Sequence, residues 1–204
     1  QAAFNYELPE DIDELAEIAG RNCYQSWNRP NPDTADNKGY LRNILHTEHF
    51  SVLEHGSVTF LIKGVSTAFL GQLSRHRHFS LSVESARFVN KRNVFGVTPA
   101  GLLEDMDAVA VEIAEAYASA VDTYTKIVDV LLTRGMSRKQ AREAARLVLP
   151  QGISTKIVVT GNMRAWRELL KKRLHPSADA EFQAVAASVL SELIEVAPNT
   201  FQDM

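Results

Sequence analysis

Five basic side chains are concentrated in the fourteen residues from Ser74 to Arg87, which read SRHRHFSLSVESAR. The chain of 204 residues as a whole is 45% hydrophobic and carries a formal net charge of −3, so these cations are a local feature of a mildly acidic protein. Nucleic acids and membrane surfaces usually require an overall basic excess or a long basic run. The segment therefore favours the binding of a small anion. The five side chains are Arg75, His76, Arg77, His78 and Arg87.

Three further arginines recur every four residues and share one face of a predicted helix: Arg138, Arg142 and Arg146. Like charges at this spacing repel each other, and an anionic partner would relieve the repulsion. A solvated face is the simpler interpretation of Arg138 and Arg142. Arg146 adjoins the apolar sequence LVLP, so we expect its guanidinium to be at least partly buried and to need a phosphate or carboxylate partner.

The helix predicted over residues 162–173 carries an arginine at the end of its inward face. At 100° per residue, Asn162 and Arg173 lie within about 20° of each other on the helix, with Trp166 and Leu169 between them. We expect this face to be buried. An arginine at the end of a buried stripe is unusual, and the helix pattern leaves a functional and a structural role for Arg173 equally open.

The histidines raise the alternative of a zinc site, because five of the six lie close together in the sequence. The stretch HFSVLEH fits neither of the two zinc-binding patterns HExxH and HxxEH. The arginines beside two of the histidines would also oppose a dication. We therefore predict no metal site. The five histidines are His46, His49, His55, His76 and His78.

The ten glycines are scattered singly, and no glycine-rich phosphate loop is present. Anions must then be held by side chains and helix ends.

Cys23 is the only cysteine, so no intramolecular disulfide can form, and a reducing, cytoplasmic setting is the simplest interpretation. Its surroundings, RNCYQSW, show no activated thiol, and we expect Cys23 to be a small buried hydrophobic residue.

Two features of the chain bear on its location and its completeness. No apolar run approaches the roughly 18 residues of a membrane span, and no signal peptide is visible. We therefore expect no membrane association. The chain starts at Gln1 without a methionine, which is compatible with a missing N-terminal segment that includes a strand.

The sequence predicts few strands and several helices, and these do not alternate as βαβ units. This pattern is typical of an α+β fold. We expect a small, mainly antiparallel sheet flanked by several helices, in a single domain over residues 1–204. The predicted strands are 57–65, ended by Gly64, and 153–161. Helices are predicted over residues 11–26, 40–45, 66–77, 102–133, 137–149, 162–173 and 180–196, with an irregular loop at 28–37 and helix caps at Ser66 and Ser137.

The helical pattern of residues 102–133 is longer than a domain of this size needs for its own core. At about 1.5 Å per residue it would span about 50 Å. We expect part of its apolar stripe to pack against another subunit. The stripe comprises Leu102, Met106, Val109, Ile113, Tyr117, Val121, Tyr124 and Leu131.

The run Arg75-His76-Arg77, followed after seven residues by Ser85 and then Arg87, resembles the signature of the flavin-dependent thymidylate synthases. The blocks HFSVLEHGSVTF, KQAREAARLVLP and VVTGNMRAWRELLKKR are similar to other blocks of that family, in the family's order. The resemblance implies an enzyme that converts dUMP to dTMP, with a methylene group from methylenetetrahydrofolate and reducing equivalents from NADPH through bound FAD. It also implies a cytoplasmic homotetramer with active sites shared between subunits, which would account for the long helix.

The resemblance assigns roles to individual residues. Arg173 matches the arginine thought to polarise the uracil ring at N3 and is the implied catalytic residue. No enzyme nucleophile at uracil C6 is needed in this family, so Ser85 is implied as a phosphate ligand. The implied FAD contacts are Ser51, Arg75, His76, Arg77, Asn162 and Arg164. The implied dUMP contacts are Gln72, Arg75, Ser85, Arg87 and Arg146.

Three positions depart from the pattern of the family. Val83 stands where the family has a polar or acidic residue, with Glu84 one place later. Glu168 stands where the family has Asn or His near the flavin, and Ser177 replaces a usual histidine, with His175 two residues away. A carboxylate beside a reduced, anionic flavin is unfavourable, so a catalytically weakened flavin- or nucleotide-binding sensor is the alternative hypothesis. An RNA-binding module is disfavoured by the net charge and by the lack of aromatic residues between the basic ones.

Overall fold

The computed structural model of the chain describes residues 9–29, 31–98 and 108–204. Within these ranges the protein has seven α-helices and one three-stranded antiparallel sheet, which confirms the predicted α+β class. The helices are α1 (Ile12–Tyr24), α2 (Asn37–His46), α3 (Thr67–Leu73), α4 (Ala108–Thr133), α5 (Arg138–Ala145), α6 (Met163–Arg173) and α7 (Ala180–Val196). The strands are β1 (Ser57–Ser66), β2 (Ser80–Val83) and β3 (Ser154–Asn162), and short 3-10 helices cover Pro32–Thr34, Phe50–Glu54 and Arg146–Val148.

Side-chain caps supplied by the sequence determine where several helices begin. Ser66 accepts a hydrogen bond from the backbone N–H of Phe69 at the start of α3. Ser137 and Gln140 form a reciprocal capping box at the start of α5. Each cap satisfies backbone N–H groups that the helix itself leaves without a partner. Both predicted caps are therefore confirmed.

The chain divides into two compact units, and the boundary falls within β1 and within β3. The terminal unit contains the residues up to Thr59 together with Thr160–Met204. The central unit contains Phe60–Val159, the middle of the sequence.

The core of the terminal unit is built around the indole of Trp166 on α6, which is 1% exposed. Its Nε1 donates to the carbonyl of Val58 at 3.2 Å, so the one polar atom of the indole is satisfied inside the core. Leu169 is also buried, which confirms the predicted inward face of α6. The other large side chains fully buried in this unit are Leu41, Leu53, Met163, Leu170, Phe182, Leu193 and Phe201.

Two buried carboxylates of α1 organise the polar contacts of the terminal unit. Asp13 accepts hydrogen bonds from the backbone N–H groups of Asn199 (2.7 Å) and Thr200 (2.9 Å) and from the hydroxyl of Thr200. Burial raises the pKa of Asp13, and these hydrogen bonds oppose the rise. Glu17 accepts from Nε of Arg21 at 2.6 Å, and both side chains are buried. The Asp13 contacts connect α1 to the C-terminal residues, and Arg21 connects it to the loop that follows by donating to the carbonyls of Ser26 and Thr34.

The sheet has the strand order β1-β3-β2, with β3 in the middle. The sequence analysis did not predict β2, whose four residues are too short to show an alternating pattern. The prediction that Gly64 ends the first strand is wrong. β1 continues to Ser66, because glycine adopts the positive φ of 75° at this position without steric cost.

The long helix α4 has 26 described residues, about 39 Å at the usual rise. Its C-terminal half packs on α5, with Tyr124 and Val128 buried against Ala141 and Ala145. Val109, at the other end of the predicted stripe, is 49% exposed. The first two residues of the stripe, at positions 102 and 106, lie outside the described residues. No helix in the described ranges is both long and apolar enough to cross a membrane.

Candidate functional site

The first three basic residues of the cation-rich segment follow directly on the end of α3 in the central unit. The N–H of Arg75 donates to the carbonyl of Gln72 at 3.2 Å, and the N–H of His76 donates to the carbonyl of Leu73 at 3.0 Å. These bonds continue the helix by one tight turn. The side chains of Arg75 and Arg77 are exposed beyond it. The structure therefore places Gln72 and Arg75 three residues apart, at the C-terminal end of α3.

The second group of candidate residues lies in a compact loop at residues 84–91. The carbonyl of Ser85 accepts hydrogen bonds from the N–H groups of Phe88 (3.1 Å) and Val89 (2.8 Å), so Ser85 and Arg87 belong to one turn. Arg87 is half-buried, and its guanidinium carbon lies 5.7 Å from the centroid of the Phe88 ring. The loop therefore brings together a hydroxyl and a guanidinium, both of which can bind a phosphate.

Helix α5 adds two cations to the same loop. Nη1 of Arg142 donates to the carbonyl of Phe88, and Nζ of Lys139 lies 5.7 Å from the Phe88 ring centroid. Arg146 follows Arg142 by one turn, at the start of a 3-10 helix. The prediction of a partly buried Arg146 is wrong: its side chain is exposed, and the adjoining Leu147 is 80% exposed, because the end of this helix does not enter the core of the chain.

Several of the candidate arginines lack acidic partners in the described part of the chain. Across residues 9–29, 31–98 and 108–204, no carboxylate forms an ion pair with Arg75, Arg77, Arg87 or Arg146. Glu84, the acidic residue next to Ser85, is bound instead by lysines. The charge of these arginines is therefore available to an external anion. The same part of the chain contains no group of three or more His, Cys, Asp or Glu residues placed to hold a metal ion.

Two of the predicted flavin contacts line one cavity in the terminal unit. Ser51 and Arg164 contribute to a cavity of about 320 Å³, together with Tyr24 and His49, whose rings stack with centroids 6.4 Å apart. Sequence reasoning missed this aromatic pair, because the two rings are distant in the sequence. Cys23 lines the same cavity and is exposed, so the prediction of a buried cysteine is wrong.

The start of α6 carries two candidate residues with defined partners. The side-chain oxygen of Asn162 caps the helix by accepting from the N–H of Ala165 at 2.9 Å. Nη1 of Arg164 forms an ion pair with Glu54 at 2.6 Å, and both side chains are about half exposed. The sequence analysis did not predict either contact. An exposed pair of this kind is weak, so Arg164 can exchange Glu54 for an anionic ligand.

Arg173 ends α6, with its guanidinium carbon 4.4 Å from the centroid of the Phe182 ring. Phe182 is 1% exposed, so its ring is a fixed surface beneath the guanidinium. Stacking on an aromatic face restricts the orientation of an arginine side chain. The half-buried Arg173 is therefore an oriented cation.

The residues at the departures from the family pattern also have defined environments. Glu168 pairs with Lys172 at 2.5 Å, one turn along α6, so its negative charge is partly compensated. Nδ1 of His175 shares a hydrogen bond with the Ser177 hydroxyl at 2.8 Å. The side chain of Val83 is partly exposed and supplies no polar group.

The candidate residues are divided between the two units. The terminal unit holds those that lie around α6 and the cavity beside it, and the central unit holds those of α3, the 84–91 loop and the end of α5. The terminal-unit residues are Ser51, Asn162, Arg164 and Arg173. The central-unit residues are Gln72, Arg75, His76, Arg77, Ser85, Arg87 and Arg146.

Arginines that no described carboxylate neutralises, beside a hydroxyl group, are typical of sites that bind small phosphorylated molecules. Residues 6–199 match the family described as thymidylate synthase complementing protein. The chain belongs to this family, so the family resemblance of the sequence is confirmed.

Curated relatives match nearly the whole chain. It is 49% identical over 199 residues to the probable flavin-dependent thymidylate synthase of Mycobacterium phage L5, covering 95% of this chain and 81% of that protein. It is 47% identical over 196 residues to the flavin-dependent thymidylate synthase of Mycobacterium marinum, covering 93% and 78%. The corresponding enzyme of Mycobacterium tuberculosis is 46% identical over 196 residues, with the same coverage.

Proposed function

We propose that the protein is a flavin-dependent thymidylate synthase, which methylates dUMP to dTMP. Methylenetetrahydrofolate is the carbon donor, and NADPH is the source of reducing equivalents. The observation that carries this proposal is the set of arginines between Arg75 and Arg87 that no carboxylate of the described chain neutralises. Both FAD and dUMP carry phosphates, which arginine binds with two parallel hydrogen bonds.

The donor set fits FAD. Arg75, His76 and Arg77 supply hydrogen-bond donors for a pyrophosphate, and Ser51 and Arg164 line a cavity that also contains stacked aromatic rings. Asn162 is the remaining proposed contact of the flavin. When bound, FAD supplies the hydride chemistry, and the protein binds and orients it.

The proposed dUMP phosphate ligands are the loop residues Ser85 and Arg87, together with Arg146 at the end of α5. Ser85, with its hydroxyl, and Arg87, with its guanidinium, belong to the same backbone turn of the loop. The contacts of Arg142 and Lys139 with Phe88 keep additional positive charge against this loop. Gln72 and Arg75 are the other proposed dUMP contacts.

Arg173 is the proposed catalytic residue. Attack by uracil C5 on the methylene carbon requires electron density to increase in the pyrimidine ring. A guanidinium beside N3 stabilises the negative charge that develops on the ring oxygens and N3. The stacking of Arg173 on Phe182 supports this role, because a cation that is already oriented loses little free energy to reorganisation.

The sensor hypothesis rested on Val83, which supplies no polar group, and on Glu168, a carboxylate expected beside a reduced flavin. Glu168 forms an ion pair with Lys172, but both side chains are exposed and such a pair is weak, so it offsets only a small part of that cost. A turnover assay separates the sensor from the enzyme.

Assembly and location complete the proposal. We place the protein in the cytoplasm as a homotetramer and treat residues 1–204 as one functional domain that binds no nucleic acid. The expectation of a partner rests on α4, on which four apolar side chains are exposed: Val109, Val111, Val130 and Leu132. A partner subunit would remove part of this apolar surface from water.

The proposed function is tested with purified protein reconstituted with FAD. A flavin absorption spectrum is expected, together with dTMP formation that depends on dUMP, methylenetetrahydrofolate and NADPH. A flavin spectrum without turnover would contradict the enzyme and favour the sensor. A preparation that cannot be reconstituted with FAD would overturn both.

The oligomeric state is measured separately by multi-angle light scattering. A tetramer has four times the chain mass of 22.7 kDa. A species of 22.7 kDa that stays fully active on dilution would contradict the shared active sites.

A further inference from the structure

Lys91 is an unusual residue at the end of the 84–91 loop, because its side chain is only 5% exposed. A buried ammonium group is costly unless a carboxylate and hydrogen bonds compensate it. Nζ of Lys91 donates to Oε1 of Glu84, whose side chain is 18% exposed. The two residues are seven positions apart, so this ion pair joins the first and last residues of the loop.

Each end of the loop is also held by the rest of the central unit. The N–H of Glu84 donates to the carbonyl of Lys156 on β3 at 3.0 Å. The N–H of Lys91 donates to the hydroxyl of Tyr124 on α4 at 3.3 Å, and Tyr124 is fully buried. The sheet and the long helix therefore fix the two ends, and the buried pair closes the gap between them.

The orientation of Glu84 determines which role it can have. Oε1 faces Lys91, and Oε2 lies 3.9 Å from Nζ of Lys156. With both oxygens directed at lysines, Glu84 does not replace the polar group that Val83 lacks. A carboxylate turned towards the nucleotide would also repel its phosphate.

We propose that Glu84 and Lys91 form a positioning pair, which holds Ser85 and Arg87 in the arrangement that binds the phosphate of dUMP. This inference rests on the proposed function. Buried ion pairs contribute little net stability compared with apolar residues of similar size, and in some proteins their role is to favour one defined geometry. In this proposal neither residue contacts the nucleotide. Their contribution is to hold the loop in its binding conformation before the ligand arrives, so that binding does not have to order it.

The test removes the pair without leaving a buried charge alone. The double variant Glu84→Leu/Lys91→Met replaces both members with apolar side chains of similar size, so the protein is expected to fold. Binding of dUMP and of deoxyuridine, which lacks the phosphate, is measured by calorimetry on the FAD-loaded protein. We expect the Kd for dUMP to rise about tenfold, the scale of one charge-assisted contact, and the Kd for deoxyuridine to stay unchanged.

The kinetic readout separates positioning from general damage to the fold. The KM for dUMP should rise by a similar factor, and kcat at saturating dUMP should stay within about twofold, because a phosphate contact acts equally in the ground and transition states. The matched control is Lys126→Met, which breaks the exposed ion pair with Asp122 on α4 and should change neither constant. If the double variant does not fold, Lys91→Met removes the buried ammonium group and leaves the partly exposed Glu84 beside Lys156 at 3.9 Å, so no charge is buried alone, and the same selective loss is expected.

Two outcomes would overturn the inference. An unchanged Kd for dUMP would show that the loop does not need the ion pair to bind the phosphate. An equal loss of affinity for dUMP and for deoxyuridine would show that the pair has a general structural role. Failure of the proposed function is distinguishable from both, because the wild-type protein would then form no dTMP, whatever the loop does.

Discussion

Arg21 in the terminal unit and Arg87 in the central unit are both arginines that approach an aromatic ring, but their environments differ. Arg21 is buried, pairs with Glu17 at 2.6 Å, donates to the carbonyls of Ser26 and Thr34, and lies 4.4 Å over the ring of Tyr40. Its hydrogen-bonding capacity is largely used within the protein.

Arg87 has no carboxylate partner among the described residues and is only half-buried. Its contact with Phe88 is an exposed one, at 5.7 Å. A guanidinium has five N–H donors, and those of Arg87 are available to a ligand. We therefore expect different roles for the two arginines: Arg21 stabilises the fold, and Arg87, which no described carboxylate neutralises, binds a ligand. The following variants test this distinction.

The largest effect is expected when Arg21, the buried and paired arginine, is removed. Arg21→Met leaves Glu17 as a buried charge without its closest partner, so the free energy of unfolding should fall by about 3–5 kcal/mol. Urea denaturation measures it. The matched control is Arg29→Met, since Arg29 approaches the same Glu17 at 3.4 Å but is 55% exposed. The control should lose less than about 1 kcal/mol, and equal losses would contradict the argument from burial.

The next effect concerns catalysis. Arg173→Ala removes the oriented cation from its place on Phe182, and we expect kcat to fall by roughly 10²-fold, as for the loss of one preorganised donor. The flavin spectrum should remain, because Arg173 is not assigned to FAD. Steady-state kinetics measure the change, with the exposed Arg134→Ala as control. Normal turnover with only a raised KM would show that the end of α6 is structural.

A smaller effect is expected for Arg87, the loop arginine without a carboxylate partner among the described residues. Arg87→Ala should raise the KM for dUMP about tenfold and leave kcat near that of the wild type, because a phosphate contact is present equally in ground and transition states. Unfolding by urea should change little, in contrast to Arg21→Met. Arg92→Ala, which removes an arginine paired with Asp129 outside the loop, is the control. A loss of stability comparable to that of Arg21→Met would abolish the distinction between the two arginines.

The smallest effect is a pH dependence in the terminal unit. Two hydrogen bonds of 2.7 Å from Arg167 hold the pKa of Asp203 below its ordinary value of 3.8. Because the folded-state pKa is depressed, the stabilisation is fully present above pH 3.8 and is lost as the pH falls through the folded value. Asp203→Asn should therefore be less stable than the wild type near neutral pH. In urea titrations the difference should shrink in strong acid; a difference that is constant with pH would contradict the ionic origin.

The sequence alone determined the features that depend on near neighbours. The caps at Ser66 and Ser137 follow from bonds that span three residues, and the inward face of α6 follows from helical periodicity. The motif from Arg75 to Arg87 identified the family, because its residue types and spacing are specific. It could not reveal that Ser85 and Arg87 share one turn.

Only the tertiary structure decided which side chains meet across the sequence. Glu84 finds Lys91 inside the central unit, Arg173 finds the ring of Phe182, and Tyr24 stacks on His49 beside the exposed Cys23. Burial and pairing of this kind depend on how separate elements pack, since a side chain is satisfied or left available by neighbours that local periodicity does not specify. The partners that an arginine has in the folded chain therefore indicate whether it stabilises the protein or binds a ligand.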